Sequence, residues 1–129
     1  MDIALYRCDR EFIANLPAIL RDGGFDFQLM SAERDGDNIV SFNGVIRDGR
    51  ARIFVSGGAP ATDNTPDNIG FCLYAGQSIW NLLRFPCRHV ALGARVERYL
   101  LSLAGDRVEV MLYKLQEQYA ERCGGELPP

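Results

Sequence analysis

Apolar and polar positions alternate from the start of the chain: Ile3 and Leu5 against Ala4 and Tyr6 predict a short strand over residues 2–8, after which Asp9 is placed to cap a helix. Phe12, Ile13, Leu16, Ile19 and Leu20 then fall at helical spacing. Pro17 lacks a backbone donor and is expected to kink that segment or split it into two short turns, and Gly23-Gly24 ends it. The period then drops to two. Phe25, Phe27 and Leu29 alternate with Asp26 and Gln28 as far as Asp35-Gly36, residues that tolerate the backbone of a hairpin turn. A second strand carrying Ile39, Val40, Phe42, Val45 and Ile46 reaches a second such signal, Asp48-Gly49, beyond which Ala51, Ile53 and Val55 alternate with Arg50, Arg52 and Phe54. The result is a three-stranded meander whose middle strand is interrupted by Gly44, an expected bulge.

Residues 57–68, GGAPATDNTPDN, combine glycine, proline and short polar side chains and predict a long loop. Ile69, Cys72, Leu73, Gly76, Ile79, Trp80 and Leu83 then form one helical stripe, with Asp67 or Asn68 as cap; a strand over 69–75 followed by a short helix is the alternative. A helix from about Arg88 to Ala104 turns Leu92, Val96, Tyr99, Leu100 and Leu103 inward and ends at Gly105. Asp106 is placed to cap the last helix, which uses Val108, Met111, Leu112, Leu115 and Tyr119, although Val108, Val110 and Leu112 also alternate as a strand would. The fold class expected is α+β: an antiparallel β-meander with an N-terminal strand, packed against three or four α-helices in a single domain spanning residues 1–129.

Composition narrows the function classes more than the fold. With 47% hydrophobic residues in 129, the chain has enough apolar material to fold without a metal or disulfide framework. Seventeen acids against fourteen bases give a net charge of −3, the reverse of what a general nucleic-acid binder carries. Residues 1–68 hold a net −4 and residues 69–129 a net +1, so any anion site is expected in the second half. Thirteen of the fourteen bases are arginine, with Lys114 alone, the usage of a GC-rich bacterial genome. The first ten residues carry Asp2, Arg7, Asp9 and Arg10 and so lack the apolar run of a signal peptide, and no stretch approaches the ~20 apolar residues of a membrane span. Cys8, Cys72, Cys87 and Cys123 show neither C-x-x-C nor zinc-ligand spacing. Together these features predict a cytoplasmic protein whose thiols are free and inert, with no cofactor or metal.

No motif of catalysis stands out. His89, the only histidine, lies two residues after Cys87, and on a helix side chains two apart diverge, which argues against a thiolate–imidazole pair. Asp63, Asn64, Asp67 and Asn68 gather oxygens in one loop without the spacing of a calcium site. Gly57-Gly58 starts no phosphate-binding motif, and Asp35 with Asp37 flanks a turn where solvated acids are ordinary. Arg84, Arg88, Arg95 and Arg98 form a basic rim along the apolar stripe, a candidate anion site that Glu97 or the acidic first half can equally neutralise. The function expected is that of a small acidic protein-binding module, a stoichiometric inhibitor of the immunity-protein, antitoxin or phage anti-defence type, meeting a protein partner such as a toxin or effector through Asp35, Asp37, Asp48, Asp63 and Asp67. The alternatives are a chaperone for a secreted bacterial protein, or an enzyme or small-ligand binder with a pocket between the sheet and the helix containing Trp80.

Overall fold

The computed structural model describes residues 3–58, 69–75, 86–125 and 127. In chain order they form β1 (Ile3–Arg7), α1 (Arg10–Asp22), β2 (Asp26–Asp35), β3 (Asn38–Asp48), β4 (Ala51–Gly58), β5 (Gly70–Tyr74), α2 (Cys87–Ala104), a 3-10 turn (Gly105–Arg107), β6 (Glu109–Leu112) and α3 (Leu115–Cys123). The architecture is α+β. One six-stranded sheet has the order β2-β3-β4-β5-β1-β6, and every neighbouring pair is antiparallel.

The meander forms where local sequence places it. Gly36 and Gly49 take positive φ (63° and 59°) in the two-residue turns that set Asp35 opposite Asn38 and Asp48 opposite Ala51. The bulge expected in the middle strand at Gly44 falls instead on β2, at Met30, while β3 pairs with β4 without interruption through Gly44. The register between β2 and β3 slips between Leu29 and Ser31, and Gly44, opposite Leu29, leaves room for the Phe27 ring, which a Cβ there would approach to 2.3 Å. An aromatic over a strand glycine restores the packing that the missing side chain gives up.

One expectation is corrected, and two segments open between helix and strand in sequence are resolved as strands. Pro17 does not split α1, which runs from Arg10 to Asp22, capped by the Asp9 carboxylate accepting from the Phe12 N–H at 2.7 Å. Burial of Phe12, Ile13, Leu16, Pro17 and Leu20 against the sheet offsets the missing backbone donor. Residues 70–74 form a strand, not the start of a helix, because β4 and β1 offer hydrogen-bonding edges on both sides. Likewise Glu109–Leu112 pairs with β1, so the last helix begins only at Leu115. The continuation of the 69–83 stripe beyond Ala75, Trp80 included, lies outside the described residues.

All three helices pack against the core formed with the sheet, where Phe42, Ile46, Ile53, Val55, Phe71 and Leu73 lie buried together with Leu16, Leu20, Leu92, Val96 and Leu100 of the helices. At Gly93 the close approach of α2 leaves no space for a side chain: a Cβ would stand 2.8 Å from Leu115 Cδ1 and 3.0 Å from Ile53 Cδ1. No helix among the described residues is long and apolar enough to cross a membrane.

Candidate functional site

Three places in the molecule carry chemistry that packing alone does not require. The first lies inside it. Glu97 is fully buried in α2. Its carboxylate accepts from the Tyr6 hydroxyl of β1, from the backbone N–H of Leu115 at 2.8 Å, and from the N–H and side-chain amide of Gln116 at 3.0 and 3.2 Å. A carboxylate seated on the open N–H groups of a helix start is favoured by both hydrogen bonding and the helix dipole. Burial and the Glu97 charge push the Tyr6 hydroxyl far above its ordinary range, so it stays a donor. Glu97 therefore fastens the start of α3 to α2 and β1, and it is not part of the basic rim. Its position was legible: it stands three residues after Ala94 and three before Leu100, on the inward stripe of α2.

The second place is the end of the sheet at the β3–β4 turn. Here β4 extends past β5, whose last residue Tyr74 pairs with Phe54, and the Arg52 N–H donates to Nδ1 of His89 at 2.8 Å. Accepting through Nδ1 requires the neutral imidazole with its proton on Nε2. Burial, with the Arg88 and Arg52 charges adding to it, lowers the His89 pKa. Of the predicted rim, Arg88 donates to the Arg50 carbonyl at 3.3 Å and Arg95 pairs with Asp48 at 2.9 Å. Both tie α2 to the turn. Arg98 also has an interaction partner, while Arg84 lies outside the described residues.

One expectation fails at this end. Cys87 is bonded to Cys123, so two of the four thiols are not free. The reason is the packing of α3 antiparallel to α2: with Leu115 at Glu97, the ten residues back to Cys87 span about 15 Å and the eight on to Cys123 about 12 Å at 1.5 Å per residue. The two Cα atoms meet 5.8 Å apart across 36 positions of sequence, a juxtaposition that spacing cannot reveal. Cys8 and Cys72 remain free thiols; burial raises the first to about 12, and it raises the second as well. A Cys87–His89 nucleophile pair does not exist in this bonded form.

The third place is the opposite end of β3. Asp35 and Asp37 are exposed at the tip of the β2–β3 hairpin, and Asn38 to Val40 run beyond the last β4 pairing at Ser41. Glu33 and Val40 (40%) are exposed beside them, whereas Met30 (64%) is exposed further down β2, opposite the part of β3 that pairs with β4. Asp48 stands at the other end of the same strand, about 30 Å away at ~3.4 Å per residue. The structure thus brings Asp35 and Asp37 together and sets Asp48 apart; Asp63 and Asp67 lie outside the described residues.

Among the described residues no group of three or more His, Cys, Asp or Glu side chains is arranged to hold a metal ion. No protein-family model, no curated protein and no solved structure matches the chain.

Proposed function

We propose that this chain is a stoichiometric protein-binding module that engages a basic site on its partner through the tip of the β2–β3 hairpin, in the manner of an immunity protein, antitoxin or anti-defence inhibitor. The observation that carries the reading is the tip itself: three exposed acids, Glu33, Asp35 and Asp37, with the exposed apolar side chain of Val40 near them, on a hairpin reaching beyond the last pairing with its neighbouring strand. Acids steer association with a basic cleft, and Val40 supplies apolar contact area once docked. Asp48 contributes least to this interface, being held by Arg95 at the far end. The cytoplasmic placement that goes with this reading loses the support of free thiols at Cys87 and Cys123.

The test is capture from native lysate with the wild-type chain and the Asp35→Lys, Asp37→Lys double variant in parallel. A partner that is retained by the first, lost by the second and inhibited at one-to-one stoichiometry supports the reading; identical captured sets from both chains refute it.

A specific feature also favours the chaperone reading. Among the described residues β6 ends the sheet, and Met111, Leu112 and Tyr113 at or just beyond it are 41%, 49% and 60% exposed, an edge to which an extended client strand can add. Under that reading Leu112→Lys abolishes suppression of client aggregation and the Asp35/Asp37 variant does not.

A further inference from the structure

The four cysteines divide by environment. Cys8 and Cys72 are held as protonated thiols by burial. Cys87 and Cys123 occupy helix ends instead, Cys87 exposed as the first residue of α2 and Cys123 half-buried as the last of α3. The start of α2 has no side-chain cap and no acid in its first turn, and the exposed Arg88 is the next residue. A sulfur at such a position leaves as a thiolate more readily than one at a helix C-terminus, because the helix dipole and the guanidinium both favour negative charge there.

The geometry points to Cys87–Cys123 as a reversible redox site, opened by a dithiol reductant and closed by a disulfide oxidant, that switches the C-terminal end of α3 between an anchored and a released form. In the opening step a reductant thiolate attacks Cys123 Sγ; the S–S bond breaks and its electron pair leaves on Cys87 Sγ. The reductant's second thiol, deprotonated, then attacks the reductant sulfur of the mixed disulfide and expels the Cys123 thiolate. The reductant is oxidised to its disulfide, and the protein gains two electrons and, on protonation of both sulfurs, two protons.

The effect of opening follows from how the two halves of α3 are held. Only Leu115 is fully buried and the Glu97 clasp grips Leu115 and Gln116 at the start; past them Gln118 donates to the Ile3 carbonyl at 3.2 Å, Tyr119 is half-buried against the core and Arg122 has an interaction partner, contacts that are all partly open to water. A nine-residue helix is too short to persist in water by itself, so loss of the bond frays α3 from Cys123 backward while Glu97 keeps its first turn.

The test uses the full chain under native conditions with glutathione as a monothiol probe and iodoacetamide as a trap, followed by peptide mapping. Glutathione is expected on Cys123 and the alkyl group on Cys87. Dithiothreitol without denaturant should open the bond completely, with amide exchange at residues 119–123 rising at least tenfold and that of residues 90–100 unchanged. Arg88→Glu should slow the opening by about two- to fivefold. Arg88→Gln, which removes the charge without reversing it, serves if the first variant does not fold. Glutathione on Cys87, a bond that opens only when the whole chain unfolds, an opening rate indifferent to residue 88, or unchanged exchange in α3 would each overturn the proposal.

Discussion

The two ends of α3 are fastened by opposite means. At its start the N–H groups of Leu115 and Gln116 donate to a carboxylate that is wholly out of water, with the Tyr6 hydroxyl completing the shell. At its end the tie to α2 is a covalent bond between an exposed and a half-buried cysteine. The non-covalent clasp is the one that solution conditions cannot reach: Glu97 is fully buried, and the Tyr6 and Leu115 donors left without it would be buried and unpaired. The covalent clasp is individually stronger, yet one of its two cysteines lies exposed to solvent. Bond strength and permanence are therefore inverted along nine residues of helix.

The largest expected effect breaks the buried clasp. Glu97→Ala strands the Tyr6 hydroxyl and two α3 N–H groups and should cost about 3–5 kcal/mol, measured by denaturant unfolding. Glu97→Gln retains one acceptor oxygen and should lose less. If Glu97→Ala costs less than removal of the disulfide, the ranking of the two ends is wrong.

Second in size is the Cys87→Ser, Cys123→Ser double variant. Releasing a link across 36 positions should lower stability by about 2–4 kcal/mol on the chain-entropy argument. Hydrogen exchange sharpens the comparison further. The double variant should lose protection at the end of α3 and keep it at Leu115, whereas Glu97→Ala should lose it at Leu115 first.

These two clasps also mark what a reader of the chain alone can and cannot see. The hairpins at Gly36 and Gly49, the Asp9 cap and the span of α2 are set by neighbours in sequence, and all are legible. Residues 70–74 and 109–112 carry patterns compatible with either period, and it is the free edges of β4 and β1 that decide them. Glu97 announces itself by standing on an apolar stripe, although its partners are 91 and 18 positions away. The Cys87–Cys123 bond has no local sign, because it depends on α3 doubling back along α2 after β6 has paired, and β6 is itself undecided in sequence. Of the candidate contact residues, the exposure of Asp35 and Asp37 follows from their turn, whereas the engagement of Asp48 by Arg95 depends on where α2 lies.

The smallest expected effect tests the start of α2, the surface on which the disulfide is anchored. His89 accepts the Arg52 N–H through Nδ1, and it must be neutral to do so. Burial and the two nearby guanidinium groups hold its folded pKa below the unfolded value near 6.5. Between those two values the unfolded chain binds the extra proton and the folded one does not, so stability rises with pH through this window and is lost as pH falls below about 6.5. His89→Ala should cost about 1–2 kcal/mol at pH 8 through the unpaired Arg52 N–H. The same variant should show a shallower decline than the wild type between pH 7 and pH 5, since the residue that resists protonation is gone. Denaturant midpoints at the two pH values for both chains measure this directly. Parallel pH profiles would mean that the imidazole titrates alike in both states, and that the end of the sheet at Arg52 opens locally before it charges.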